Sequence, residues 1–227
     1  MNRYPTNCVK RRPTPPGPMH KETSVLNRLL TATSLLLALG VCAPTLAQTG
    51  ADTLVRQISV EVIEAAKTDK AIQAGDINRV IALVDSKVMP NVNFEVMTRS
   101  AVGPQWRAAT PEQRTKLQSE FKTLLVRVYA GALTQLKDQT VEVTKTLPVQ
   151  GSTQVVVQTE VRGKGEPIKL DYRLDKAAEA WKIIDVNVGG IWLVQSYRTQ
   201  FAQELGKGGI DGLIAALVER NKTAAKG

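Results

Sequence analysis

The residues that most often do chemistry are scarce here and badly placed. The single histidine, His20, and both cysteines, Cys8 and Cys42, precede residue 48. The chain beyond them therefore has no imidazole and no thiol. That removes Ser-His-Asp triads, cysteine nucleophiles, disulfides and zinc sites with His or Cys ligands. Carboxylate catalysis would need two converging acids. Glu95, Glu160, Asp171 and Asp185 stand apart in sequence, and Glu160 and Asp171 alternate with apolar neighbours, which predicts solvated strand faces. Gly163-Lys164-Gly165 sits between two strand patterns and reads as a turn, not as a phosphate-binding loop. No catalytic residue, metal site or cofactor is assigned.

The first 47 residues read as a targeting segment. From Met19, Lys21 and Arg28 give a basic start, Leu29 to Val41 an apolar run, and Thr45-Leu46-Ala47 a small-residue cleavage site near Ala47/Gln48. The run is shorter than the roughly 20 residues of a membrane-spanning helix, so secretion is expected rather than anchoring. Residues 1–18, rich in proline and carrying Lys10-Arg11-Arg12, precede that pattern and read as a misplaced translation start. Val41 before Cys42 argues against lipid attachment. Six of the 30 Lys and Arg residues and one of the 21 acids fall in this leader, leaving 24 against 20 and a net charge of +4. Basic and acidic residues are interspersed there, which disfavours nucleic-acid binding. Residues 48–227 are expected to form a single domain.

Leu54, Ile58, Val62 and Ala65 recur at helical spacing from Asp52 onward, and Gly75 ends that region. Asp76 can cap a second helix carrying Ile77, Val80, Ile81 and Val84, stopped at Pro90. Asn93 to Val102 reads as a third helix, broken by Gly103-Pro104 with Trp106 in the connection. Thr110-Pro111-Glu112-Gln113 is a capping-box helix start. The helix it opens carries one wide apolar face, Leu117, Phe121, Leu124, Leu125, Val128, Tyr129, Ala132, Leu133 and Leu136. After Asp138 the period changes to alternation. Val141 and Val143, Val155 to Val161, Ile168 to Leu174 and Trp181 to Val188 predict a meander of four antiparallel strands closed by Gly189-Gly190. Leu193, Tyr197, Phe201 and Leu205 restore a helix ending at Gly206, and a last helix runs from about Ile210.

The fold class is thus α+β, with a four-stranded antiparallel sheet and several helices enclosing an apolar cavity. The candidate lining is Phe94, Met97, Val102, Trp106, Leu125, Tyr129, Leu133, Val157, Tyr172, Val188, Ile191, Tyr197 and Phe201, with Trp192 beside them. Such a cavity suits an apolar ligand. Two other readings stay open: a secreted enzyme acting on a hydrophobic small molecule, and a structural envelope protein with a solid core.

Several ordered segments carry a resemblance. Val88-Met89-Pro90-Asn91-Val92-Asn93-Phe94-Glu95-Val96-Met97, Gly103-Pro104-Gln105-Trp106-Arg107 and Thr110-Pro111-Glu112-Gln113-Arg114 resemble the MlaC family, also called toluene-tolerance auxiliary proteins. Phe121 to Tyr129, Gly190 to Phe201 and Gly208-Gly209-Ile210-Asp211-Gly212-Leu213-Ile214 extend the likeness across nearly the whole chain after the leader. Asn93 stands where the family often has Asp, and Pro104 where it often has Lys. The resemblance implies a nuclear-transport-factor-like cone and a monomeric periplasmic phospholipid carrier. It also implies partners, an outer-membrane lipoprotein–porin complex and the inner-membrane Mla ABC transporter, in a system that maintains outer-membrane lipid asymmetry.

Overall fold

The computed structural model describes residues 50–136, 138–178 and 180–223. The leader assigned to residues 1–47 lies outside the described residues.

Most of the helices start where a short polar side chain satisfies their first amides, the first of them excepted, whose N-cap is Gly50. Helix α1 spans Ala51–Thr68 and buries Val55, Ile58, Ile63 and Ala66, so the inward stripe is turned by one residue from the predicted one; Leu54, Val62 and Ala65 are half-buried. Asp69 caps the short α2, Lys70–Gln73, through the amides of Ala71 and Ile72. Asp76 caps α3, Ile77–Leu83, accepting from Asn78 N at 2.9 Å and Arg79 N at 3.2 Å. A π turn, Val84–Val88, and a 3-10 turn, Met89–Asn91, follow. Asn93 caps α4, Phe94–Val102, which ends at Gly103, whose φ of +76° favours glycine. The connection from Gly103 to Ala108 is itself a 3-10 turn that buries Trp106 to 4 % exposure. Helix α5, Pro111–Thr134, opens with the complete capping box, Thr110 and Gln113 bonding each other's backbone amides at 3.0 and 3.2 Å.

The sheet is an antiparallel meander in the order β1 (Thr140–Pro148), β2 (Val155–Arg162), β3 (Ile168–Ala177), β4 (Ala180–Val188) and β5 (Ile191–Trp192). Five strands replace the four expected. Gly189 and Gly190, both at positive φ, do not close the sheet; they form a two-residue turn that folds Ile191-Trp192 back against Val188 and Asn187. Two residues are too few to display an alternation. One face of the sheet is apolar in register: Val157, Tyr172 and Val186 lie side by side, as do Val155, Leu174 and Ile183, and Thr159, Leu170 and Val188. Irregularities in β1 near Val143 and in the β3–β4 pairing at Arg173 bend this face.

Helix α6, Leu193–Thr223, is two limbs joined at Gly208 and Gly209, so the predicted break falls two to three residues beyond Gly206. Its first limb buries Leu193, Tyr197, Phe201 and Leu205, and its second returns with Leu213 and Leu217. Asn221 Nδ2 fixes the second limb to α5 by donating to Glu120 Oε2 at 2.7 Å and to the Glu120 carbonyl at 3.0 Å. Gln113 Nε2 does the same at the other end, donating to Asp211 Oδ1 at 2.7 Å.

Candidate functional site

The buried side chains do not merge into one core; they form three adjoining clusters. The first, between α4, α5 and α6, centres on Phe121, whose ring lies 5.6 Å from Phe94, 5.0 Å from Tyr197 and 5.1 Å from Phe201. Tilted and edge-to-face contacts of this kind add to plain area burial. The second joins α1 to the sheet through Val55, Ile58, Val157, Leu174 and Ile183. The third packs Ala66, Ile72, Val80 and Leu83 against Val126 of α5. Val92 and Val186 touch both the first and second clusters, and Val62 touches both the second and third; all three are half-buried.

Half-buried apolar side chains therefore meet where the clusters adjoin. Leu125 and Tyr129 reach the first cluster from α5, Val186 and Val188 from β4, and Tyr172 belongs to the edge of the second. Burial pushes the Tyr172 phenol above its ordinary value, partly offset by a hydrogen bond with Ser59 of α1. Its side chain nevertheless keeps accessible surface. Burial likewise raises the phenols of Tyr129 and Tyr197.

The thirteen candidate lining residues divide accordingly. Phe94, Met97, Val102, Trp106, Tyr197 and Phe201 are fully buried members of the first cluster, with Leu125, Tyr129 and Val188 packed on its edge. Val157 and Tyr172 belong to the second cluster. Leu133 packs on the third, behind α5. Ile191 is 60 % exposed in β5, and Val128, placed on the same predicted helix face, is 54 % exposed. Leu170, Val186 and Ser59 were not among the candidates. Leu170 and Val186 share the alternating inward register of Tyr172 and Val188, a signal present in the sequence; Ser59 carried none.

Glu95, Glu160, Asp171 and Asp185 lie on separate elements. Glu160 and Asp171 lie on the polar alternate face, opposite Lys169 and Gln158 respectively, and Glu160 accepts from Arg162 at 2.9 Å. Asp185 is buried and raised by that burial. Its Oδ1 accepts from Val186 N at 2.9 Å and Val194 N at 3.0 Å, and Arg173 lies 3.8 Å from its Oδ2. Arg173 also stacks 4.4 Å above Trp192. This group fixes the turn from β4 into α6. Among the described residues no group of three or more His, Cys, Asp or Glu is placed to hold a metal ion, and no helix is long and apolar enough to cross a membrane.

The outer surface carries two adjoining hollows. One, of about 420 Å³, is lined by Arg99, Arg107 and Arg198 around Pro104 and Trp106. The other, of about 390 Å³, shares Pro104 and Arg198 and is lined by Val102, Ala202 and Leu205.

Comparison with known proteins agrees with this architecture. The family model described as MlaC protein matches residues 56–219. The toluene tolerance protein ttg2D of Pseudomonas putida is 27 % identical over 166 residues, 73 % of this chain and 77 % of that protein. The intermembrane phospholipid transport system binding protein MlaC of Haemophilus influenzae is 23 % identical over 189 residues, 82 % of this chain and 88 % of that protein. A solved structure of a phospholipid-binding protein from Ralstonia solanacearum, in complex with a phospholipid, superposes with a TM-score of 0.74 at 40 % identity, covering 77 % of this chain and 98 % of that one. With its family model spanning most of the domain, and its fold shared with a phospholipid-binding protein, this chain belongs to the MlaC family.

Proposed function

We propose that this protein is a periplasmic phospholipid carrier, exported by a signal peptide cleaved near Ala47, that holds acyl chains where its three apolar clusters adjoin and leaves the headgroup in water. The observation that carries this reading is Tyr172, half-buried on the apolar face of the sheet beside Val157 and Val186, where the first and second clusters adjoin. The phospholipid seen in the Ralstonia solanacearum structure, and the transport system named for the Haemophilus influenzae relative, support it.

Burial is worth about 0.8 kcal/mol per methylene, so a chain of about 16 carbons is worth on the order of 13 kcal/mol. A lipid held that tightly leaves only for an equally apolar acceptor. The partners are then an outer-membrane lipoprotein–porin complex and the inner-membrane Mla ABC transporter, with the protein travelling between them as a monomer and preserving outer-membrane lipid asymmetry. The sequence carries no phosphate-binding loop, so direction comes from the partner ATPase or from relative affinities. Glu160 and Asp171, the acids an enzymatic reading would use, face away from the apolar side of the sheet.

Native mass spectrometry of the purified protein, followed by organic extraction, tests the proposal. About one phospholipid per chain is the expected result. A lipid-free protein that also takes up none from vesicles would overturn it.

A further inference from the structure

The arginine-lined hollow is not explained by lipid carriage. Arg99 projects from α4, Arg107 from the 3-10 turn and Arg198 from α6, so three separate elements deliver a guanidinium to one place. All three residues are exposed, and among the described residues none forms an ion pair or a side-chain hydrogen bond. Elsewhere the acids and bases of this protein are often paired, as in Lys116–Glu120, Lys122–Asp85 and Arg162–Glu142. Like charges gathered without a counter-charge repel one another, a cost that a ligand of opposite sign removes.

The shape narrows the ligand. Arg198 and Pro104 border both hollows, so the cationic one runs directly into the apolar one lined by Ala202 and Leu205. An extended peptide laid along both hollows meets the guanidinium groups in one half and the apolar side chains in the other at once. Guanidinium forks match carboxylates with two parallel hydrogen bonds, and an apolar side chain fits the adjoining half.

We propose that this groove between the end of α4 and the first limb of α6 is a docking site for an extended segment of a partner protein in which acidic residues alternate with apolar ones. It stands independently of where lipid is held, because Trp106 and Val102 separate it from the interior as fully buried side chains.

The test is fluorescence anisotropy of the purified protein with a labelled peptide of repeated Glu-Glu-Leu, against its Gln-Gln-Leu counterpart. Wild type is expected to bind the acidic peptide, more weakly as salt rises. The pair Arg99→Glu and Arg198→Glu is expected to lower affinity about tenfold or more, as charge reversal does at complementary surfaces. Arg99→Lys with Arg198→Lys retains most of the binding, and Lys164→Glu, a charge reversal on the distant β2–β3 turn, has little effect. Native mass spectrometry of the same variants should show unchanged lipid load, which separates failure at the groove from failure of lipid carriage. Equal peptide affinity in wild type and the reversal pair overturns the proposal. So does a reversal pair that loses only binding to phosphatidylglycerol vesicles, which would make the hollow a membrane contact.

Discussion

Replacing Tyr129 with glutamate separates lipid binding from folding. Tyr129 lies on α5 at the edge of the aromatic cluster, half-buried, one turn beyond the half-buried Leu125 and beside the exposed Val128. In the empty protein a carboxylate there can stay hydrated through the surface that Tyr129 already exposes, so the stability cost should be the loss of a partly buried ring, about 1–2 kcal/mol. With lipid bound, the same carboxylate faces hydrocarbon and either keeps its water or loses it without a partner. If it keeps about four methylenes wet, at about 0.8 kcal/mol each, the penalty is about 3 kcal/mol, or roughly two orders of magnitude in affinity. The assay is the lipid-loaded fraction in native mass spectra, alongside the midpoint of urea unfolding. Val128→Glu is the control, since its side chain already points to water and should change neither quantity. A folded Tyr129→Glu protein with undiminished lipid load would refute the proposed placement of the acyl chains.

Three further outcomes follow from the packing. Phe121→Ala removes the ring that contacts three other aromatic rings at full burial, and should cost about 3–5 kcal/mol, read as a lowered urea midpoint. Gly209, at φ +61° and ψ −153°, occupies backbone space closed to other residues, so Gly209→Ala should cost about 1–3 kcal/mol although open space surrounds it. Asp185, raised by burial above its ordinary 3.8, holds its proton in the folded state at pH values where the unfolded chain has lost it. Its contribution is therefore greatest below that ordinary value and declines as pH rises through the raised one. Asp185→Asn, which keeps an acceptor for Val186 and Val194, should remove this slope, seen as a difference between the two proteins' stability–pH curves. Asp185→Ala strands both amides and should cost about 2–5 kcal/mol at neutral pH.

Features set by local chemistry were legible in the sequence. The Thr110 and Asp76 caps, the stop at Gly103 and the alternating strands all arise from neighbours along the chain, and all appear as read. Features set by what packs opposite were not. The wide apolar face of α5 is divided, with Phe121 and Leu124 serving the aromatic cluster while Val126 and Leu133 serve the α2–α3 side. Periodicity reports that a side chain is apolar, not which of two neighbours it meets. Ile191 shows the same limit, since it stands on the edge strand β5 and is left 60 % exposed. The cationic groove left no signal along the chain because Arg198 meets Arg99 and Arg107 only when the first limb of α6 packs against α4 and the turn after it.

The crossing of the second limb of α6 over α5 also sets when the protein can fold. Phe121 is closed in by Phe94 before it and by Phe201, Leu213 and Leu217 after it, and Asn221 latches onto Glu120 a hundred and one residues away. No amino-terminal stretch of the chain holds a finished aromatic cluster. A chain halted before residue 213 presents the face of Phe121 to water, available to any other exposed apolar surface. The aromatic cluster cannot close until residues 213–221 have been made, so its apolar faces stay unpaired through most of the chain's synthesis.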